Sequence, residues 1–200
     1  MNDMNTKWCE NIIVVDADFV DRVAFDLIVN FERMLGRRIP QADLARWLEC
    51  IALDGGLREG QHETSVVLIH DKGKQRLQNF SPGNYEDELS AKAFGSSLGE
   101  FVINSVPVEP ITTKEDMIVD VTMFVASQPN VKRIMVVPDD RTTELFDRLR
   151  RSLQQVDDEK RITLFAMQPL PGGNYRQEIL GYSLMSALGL KSEELSGTKG

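Results

Sequence analysis

The sequence contains little that would mark a specialised chain. It has two cysteines in 200 residues, Cys9 and Cys50, and neither has a partner at metal-ligand or redox spacing. That excludes a disulfide scaffold and a Cys/His zinc module and predicts reduced thiols. Its two histidines, His62 and His70, are likewise unpaired in spacing. The longest apolar runs, such as Ser65 to Ile69 and Ile134 to Val137, fall far short of the ~20 residues a membrane-spanning helix needs, so no membrane partner is expected. Met1 to Glu10 lacks the basic stretch, apolar run and small-residue cleavage site of a secretory signal, and the expected location is cytoplasmic. No P-loop, nucleophile elbow or dinucleotide glycine pattern occurs. Positive charge is in deficit: 23 Lys and Arg stand against 31 Asp and Glu, a net charge of −8. Bulk electrostatic coating of nucleic acid is thereby disfavoured, although a local basic groove remains open. Arg33 with Arg37 and Arg38, Lys72 with Lys74 and Arg76, and Arg148 with Arg150 and Arg151 are candidates for one; solvated surface charge is the competing reading.

What is present is the composition of a folded globular chain, 42% hydrophobic and 27% charged, long enough for one domain with a buried core. The expected division is an N-terminal extension over 1–10, a single α/β domain over 11–190 and a polar tail over 191–200. Ile12 to Val15 is a continuous β-branched run, the signature of a strand buried on both faces. Val20, Val23, Leu27, Phe31 and Leu35 then recur at helical spacing, and Gly36 ends that helix. Pro40 opens a second helix with Leu44, Trp47, Leu48, Ile51 and Ala52 as its stripe. Ser65 to His70 reads as the second strand, Asp71 to Asn84 as a polar loop, Glu86 to Phe94 as a helix and Phe101 to Ser105 as the third strand. A helix over 114–127 follows, capped by Thr113, with Met117, Ile118, Val121, Phe124 and Val125 facing the core. Lys132 to Val137 is the fourth strand, a helix carries Leu145, Phe146, Leu149 and Leu153, Arg161 to Met167 is the fifth strand, and Gln177 to Leu188 is the last helix. Strands separated by helices require crossovers, which predicts a three-layer α/β sandwich on a mainly parallel sheet of about five strands.

Ligands of such sheets bind at the carboxyl ends of the strands. Asp16 and Asp18 follow the first strand in VVDAD, Asp71 follows the second, and Asp139 and Asp140 follow the fourth in VVPDD. Asp120 lies in mid-helix, where capping cannot explain it, and is expected at the edge of the apolar stripe; a salt bridge to Lys114 or an arginine is its structural alternative. Capping competes for Asp16, Asp18, Asp139 and Asp140. Converging carboxylates need a raised pKa, a basic partner or a divalent cation, and Mg²⁺ or Mn²⁺ is the cofactor such oxygen donors suit. A metal bound there orients water and stabilises charge in phosphodiester cleavage.

Three segments, IIVVDADFV, KEDMIVDVTMFVAS and VKRIMVVPDDRTTELFDRLR, together resemble the NYN domains of the PIN-like nuclease group. The likeness runs from about Ile12 to Met167. It implies a parallel PIN-like sandwich and metal-dependent cleavage of RNA. Asp16, Asp120 and Asp140 would be the catalytic acids, with Asp18 and Asp139 joining them as metal ligands. The sequence departs from the family turn in placing Pro138 and Asp139 before Asp140, and Thr142 where a second acid is usual.

Two other classes stay open. Haloacid dehalogenase-like phosphatases also start with a strand ending in Asp-x-Asp and carry a later acidic pair. On that likeness Asp16 is the nucleophile and Asp18 the general acid, although His70 or Asp71 stands where a hydroxyl residue is expected. Alternatively the chain is a degenerate, non-catalytic PIN-like interaction module, including a homodimer built through its helices. Trp47, Phe80, Tyr85 and Tyr175 are the aromatic candidates for such a surface, with core packing as their competing fate. Convergence of Asp16, Asp120 and Asp140 is the discriminating observation.

Overall fold

The computed structural model describes residues 8–196; most of the expected extension 1–10 and the end of the tail lie outside them. In chain order the elements are β1 (Asn11–Asp16), α1 (Ala17–Leu35), β2 (Ala42–Asp43), α2 (Leu44–Asp54), β3 (His62–His70), β4 (Phe80–Ser81), a π-helical turn (Tyr85–Leu89), β5 (Lys92–Ser96), β6 (Gly99–Pro107), α3 (Lys114–Ala126), β7 (Arg133–Val137), α4 (Thr143–Leu153), β8 (Arg161–Ala166), β9 (Arg176–Ile179), α5 (Leu180–Ala187) and α6 (Ser192–Ser196).

The run Ile12 to Val15 makes the centre of the molecule. All six residues of β1 are buried, and β3 and β7 flank it in parallel register, Ile13 opposite Val66 and Met135. Alternation along the strands sends Ile13, Val15, Met135, Val137 and Phe165 to one face, where they pack with Val20, Trp47, Leu48 and Leu180 from α1, α2 and α5. Ile12, Val14, Ile134, Val136 and Leu164 point the other way, against Ile118 and Val125 of α3 and Phe146 and Leu153 of α4. Helices on both faces of a mostly parallel sheet make the expected α/β class. No helix among the described residues is long and apolar enough to cross a membrane.

The sheet has seven strands in the order β5-β6-β3-β1-β7-β8-β9, with β5 antiparallel to β6 and the rest parallel. This corrects the expectation of about five. Both additional strands are edges whose sequences carry no buried stripe. The expected helix over 86–94 is only the short π-helical turn, capped by Asn84 and ended at Ser90. The chain then runs through Ala91 at φ 58 into β5. A tight return at Gly99, φ 102, brings β6 back beside it; a Cβ there would lie 2.0 Å from the His62 carbonyl oxygen, so only glycine fits. β9 takes the first residues of the expected last helix. Its polar Arg176, Gln177 and Glu178 are exposed, as suits an edge strand.

Other differences are local. The polar 71–84 segment is pinned: Phe80 and Ser81 pair with Ala42 and Asp43, and the Asp21 carboxylate accepts the backbone N–H groups of Gln78 and Asn79. Trp47, Phe80 and Tyr85 are core residues. Residues 192–196 of the expected tail form α6, which Arg37 holds through Glu194 at 2.7 Å. The buried face of α3 is Ile118, Val119, Thr122, Val125 and Ala126, rotated from the expected one because the helix packs on α4 as well as on the sheet, with Val119 against Leu145 and Leu149. Phe124 is left 55% exposed, edge-on to Trp8.

That rotation has a measurable consequence. Truncating fully buried Phe165 to alanine is expected to cost about 3–5 kcal/mol, whereas Phe124→Ala is expected to fall within about 0.5 kcal/mol of the native chain, both read from urea unfolding. Equal losses at the two positions would contradict the rotated face.

Candidate functional site at the strand ends

The topology determines which residues meet. From β1 the chain steps outward to β3 and β6, then returns through α3 to β7 on the other side of β1, so the sheet reverses direction between β1 and β7. Crevices open at the carboxyl ends of strands at such a point. Asp16 is the last residue of β1, Asp71 the first after β3, Asp139 the second after β7, and Lys114 the first of the returning helix α3.

Lys114 joins them. Its Nζ donates to Asp18 Oδ2 at 2.9 Å and lies 3.4 Å from Asp16 Oδ1 and 3.6 Å from Asp71 Oδ1. Asp18 Oδ2 also accepts the Asp71 backbone N–H at 2.8 Å, locking the start of α1 to the end of β3. Asp16 is both the N-cap of α1, its Oδ1 accepting from Phe19 N–H at 3.1 Å, and the floor of the crevice, 2% exposed. Burial pushes its carboxyl up to about 6; Lys114 and the Phe19 N–H oppose that rise, while the charges of Asp18 and Asp139 add to it. On Lys114, burial pulls downward, but Asp16, Asp18 and Asp71 together outweigh it and hold the ammonium above the ordinary lysine value.

Asp139 meets a different cation. Arg141 grips it through two guanidinium nitrogens, with Nε at 2.9 Å from Oδ1, and also lies over the Phe19 ring, 5.8 Å from its centroid. Burial raises the Asp139 carboxyl, yet the Arg141 hydrogen bonds and charge leave it below the usual value. Beside this cluster lies a 510 Å³ pocket lined among others by Asp18, Asp21, Arg22, Phe25, Lys74 and Arg141. On the far side of the β3 end, His70 and Tyr85 stack with centroids 3.8 Å apart and line a second cavity of 520 Å³.

The three acids expected to be catalytic do not gather. Asp16 sits in the lysine-centred cluster. Asp120 is exposed on the outer face of α3, because the rotation of that helix carries it away from the sheet rather than to the edge of the apolar stripe. Asp140 turns towards β8, where its Oδ2 accepts the Met167 backbone N–H at 2.7 Å. Asp18 and Asp139, the two further expected metal ligands, do lie near Asp16, each engaged by its own base. Among the described residues no group of three or more His, Cys, Asp or Glu side chains is arranged to hold a metal ion. The point where Asp16, Asp18 and Asp71 converge is taken by the Lys114 ammonium, so the donor set does not fit Mg²⁺ or Mn²⁺ there. Lys114, expected as a partner for Asp120 on its own helix, instead pairs with Asp16, Asp18 and Asp71. Its position carried a signal: a cation in the first turn of a helix opposes the macrodipole and needs carboxylates nearby to hold it.

Fold and site thus define a doubly wound α/β domain with a lysine-bridged acidic crevice at its switch point. The chain belongs to DUF6621, a family of unknown function, whose model matches residues 5–195. No curated protein and no solved structure matches it.

The raised Asp16 carboxyl gives a pH dependence of defined sign. Between its ordinary 3.8 and about 6, the folded chain keeps a proton that the unfolded chain releases, so this group lowers stability as pH rises through that window. Asp16→Asn keeps the cap acceptor and removes the ionisation. Relative to the native chain it is expected to be more stable by about 2–3 kcal/mol at pH 7, the gain shrinking towards pH 4. Urea unfolding of both proteins across this range checks it, and a pH-independent difference would contradict it.

Proposed function

We propose that the chain is a non-catalytic binding domain of PIN-like architecture, in which a fixed lysine does the work a divalent cation does in a metal-dependent nuclease. The observation that carries this reading is one ammonium within 2.9–3.6 Å of three carboxylates. A compact ammonium of this kind balances an acidic crevice, but it neither activates water nor bridges a phosphate as a metal does. The adjoining 510 Å³ pocket falls in the size range of small-molecule sites. Its wall alternates acids with Arg22, Lys74 and Arg141 beside Phe25, which suits a small polar ligand bearing charge of both signs.

A phosphatase mechanism is supported less well. Its nucleophile would be Asp16, which is 2% exposed and occupied by the Phe19 N–H and Lys114. Metal-dependent ribonuclease activity is the second reading, and one observation favours it: Asp16, Asp18 and Asp71 all come within 2.9–3.6 Å of a single point, the Lys114 ammonium, which is where a cation in its stead would find oxygen donors.

Calorimetric titration with Mn²⁺ separates the two. The native chain is expected to give no saturable heat up to millimolar metal and to leave RNA intact. Lys114→Met is expected to lose about 3 kcal/mol of stability and to recover part of it when Mn²⁺ is added. Mn²⁺ uptake by the native chain, abolished by Asp16→Asn and Asp18→Asn and accompanied by RNA cleavage, would establish the nuclease reading instead.

A further inference from the structure

At the opposite end of the sheet the charge has the other sign. β7 and β8 both begin with arginine, and Arg133 and Arg161 are Cα partners in register. Arg176 begins β9 opposite Thr163, two residues on from Arg161. Because parallel neighbours in register point to the same side and residues two apart share a face, all three side chains lie on the face covered by α2. Arg58, from the loop after α2, completes the group. The mutual presence of these charges is felt: burial first, then Arg161, Arg58 and Arg176, push the Arg133 guanidinium below the ordinary arginine value.

Two of the four are anchored through the carbonyl end of α2. Arg133 Nη1 donates to the Gly55 carbonyl at 2.7 Å, and Arg58 Nη1 to the Leu53 and Leu57 carbonyls at 3.2 and 2.9 Å. Gly56 leaves the room they use. A Cβ at that position, already at φ 96, would stand 2.6 Å from Arg133 Nη1 and 4.0 Å from Arg176 Nη1, so two guanidinium groups close on one glycine. The remaining donors are uncommitted among the described residues. Arg133 Nε is buried with no hydrogen-bond partner, and none of the four arginines forms an ion pair. Asp54 and Glu178 are acids on the α2 side of the group, and burial followed by Glu178 raises the Asp54 carboxyl to about 6, the opposite of what an arginine partner does. A 600 Å³ cavity reaches Arg133 and Arg161 from below, its wall carrying Lys132 and Lys160 with the acids Glu10, Asp157 and Glu159. Of these acids Glu10 is taken by Lys132, and none is paired with an arginine of the group.

Like charges gathered without a counter-ion cost free energy, and this chain has acids in excess from which to supply one. We infer that Arg58, Arg133, Arg161 and Arg176 form a binding site for a phosphate-bearing anion at the amino end of the sheet. The planar guanidinium fork matches two phosphate oxygens at once. The site is independent of the strand-end crevice, which a six-residue strand at ~3.3 Å per residue sets about 20 Å away.

Titration of the full chain with inorganic pyrophosphate tests it. Saturable binding is expected, weakened about tenfold or more in Arg161→Gln and in Arg176→Gln. Both side chains are exposed and can change without disturbing the Arg133 anchor. Lys92→Gln, an exposed cation removed from the other sheet edge, is expected to bind as the native chain does. An RNA octamer that displaces the pyrophosphate would assign the anion to a phosphodiester, and failure to displace it would assign a free phosphate compound. Absence of saturable binding by the native chain would overturn the site. So would a loss in Lys74→Gln with Arg161→Gln unaffected, which would move the anion to the strand-end pocket.

Discussion

Ending the central strand on an aspartate places a carboxylate where the sheet, the start of α1 and the return through α3 exclude water. An isolated charge in that position is several kcal/mol too costly to keep. Lys114 offsets the cost: its ammonium reaches Asp16, Asp18 and Asp71 together, tying β1, α1, β3 and α3 at one point. The compensation is incomplete, since the Asp16 carboxyl remains raised to about 6. Asp139 takes a separate partner in Arg141, so the crevice is a set of ion pairs with a shared wall rather than an open ring of acids.

The parallel core was legible because its strands announce themselves. Ile12 to Val15 and Ile134 to Val137 are continuous apolar runs, and between them lie helical stripes long enough to force crossovers. The edges were not. β5 follows a turn dense in Glu86, Asp87 and Glu88, which imitates a helix start, and β9 is held by the backbone of β8 with three exposed polar side chains. Neither strand has the apolar alternation that marks a half-buried strand, because neither buries a full face. The buried face of α3 differs from the expected one for a related reason: a helix packed on both a sheet and a second helix has two contact stripes, and one periodicity cannot describe both.

The candidate site was legible in part for the same reason. Residues that follow strands, Asp16, Asp18, Asp71 and Asp139, are carried to the crevice by topology alone. Asp120 depended on the rotation of α3, which the sequence leaves undetermined within a few tens of degrees, and it points outward. Asp140 is adjacent in sequence to Asp139 yet serves β8, since successive residues in a turn face different ways. The arginine group at the other end was hidden because its members, Arg58, Arg133, Arg161 and Arg176, are scattered over more than a hundred positions. Strand register assembles three of them, and the loop after α2 adds Arg58.

Among the described residues the sheet has acids clasped by lysine and arginine at its carboxyl end and, at its amino end, four arginines that form no ion pair. The first of these is the central claim. A double-mutant cycle on Lys114→Met and Asp18→Asn, read by urea unfolding at pH 7, measures it directly. A favourable coupling of about 1–3 kcal/mol is the expected result, because the partners are 2.9 Å apart and largely buried. A coupling near zero would show that Lys114 is not the charge on which the crevice depends.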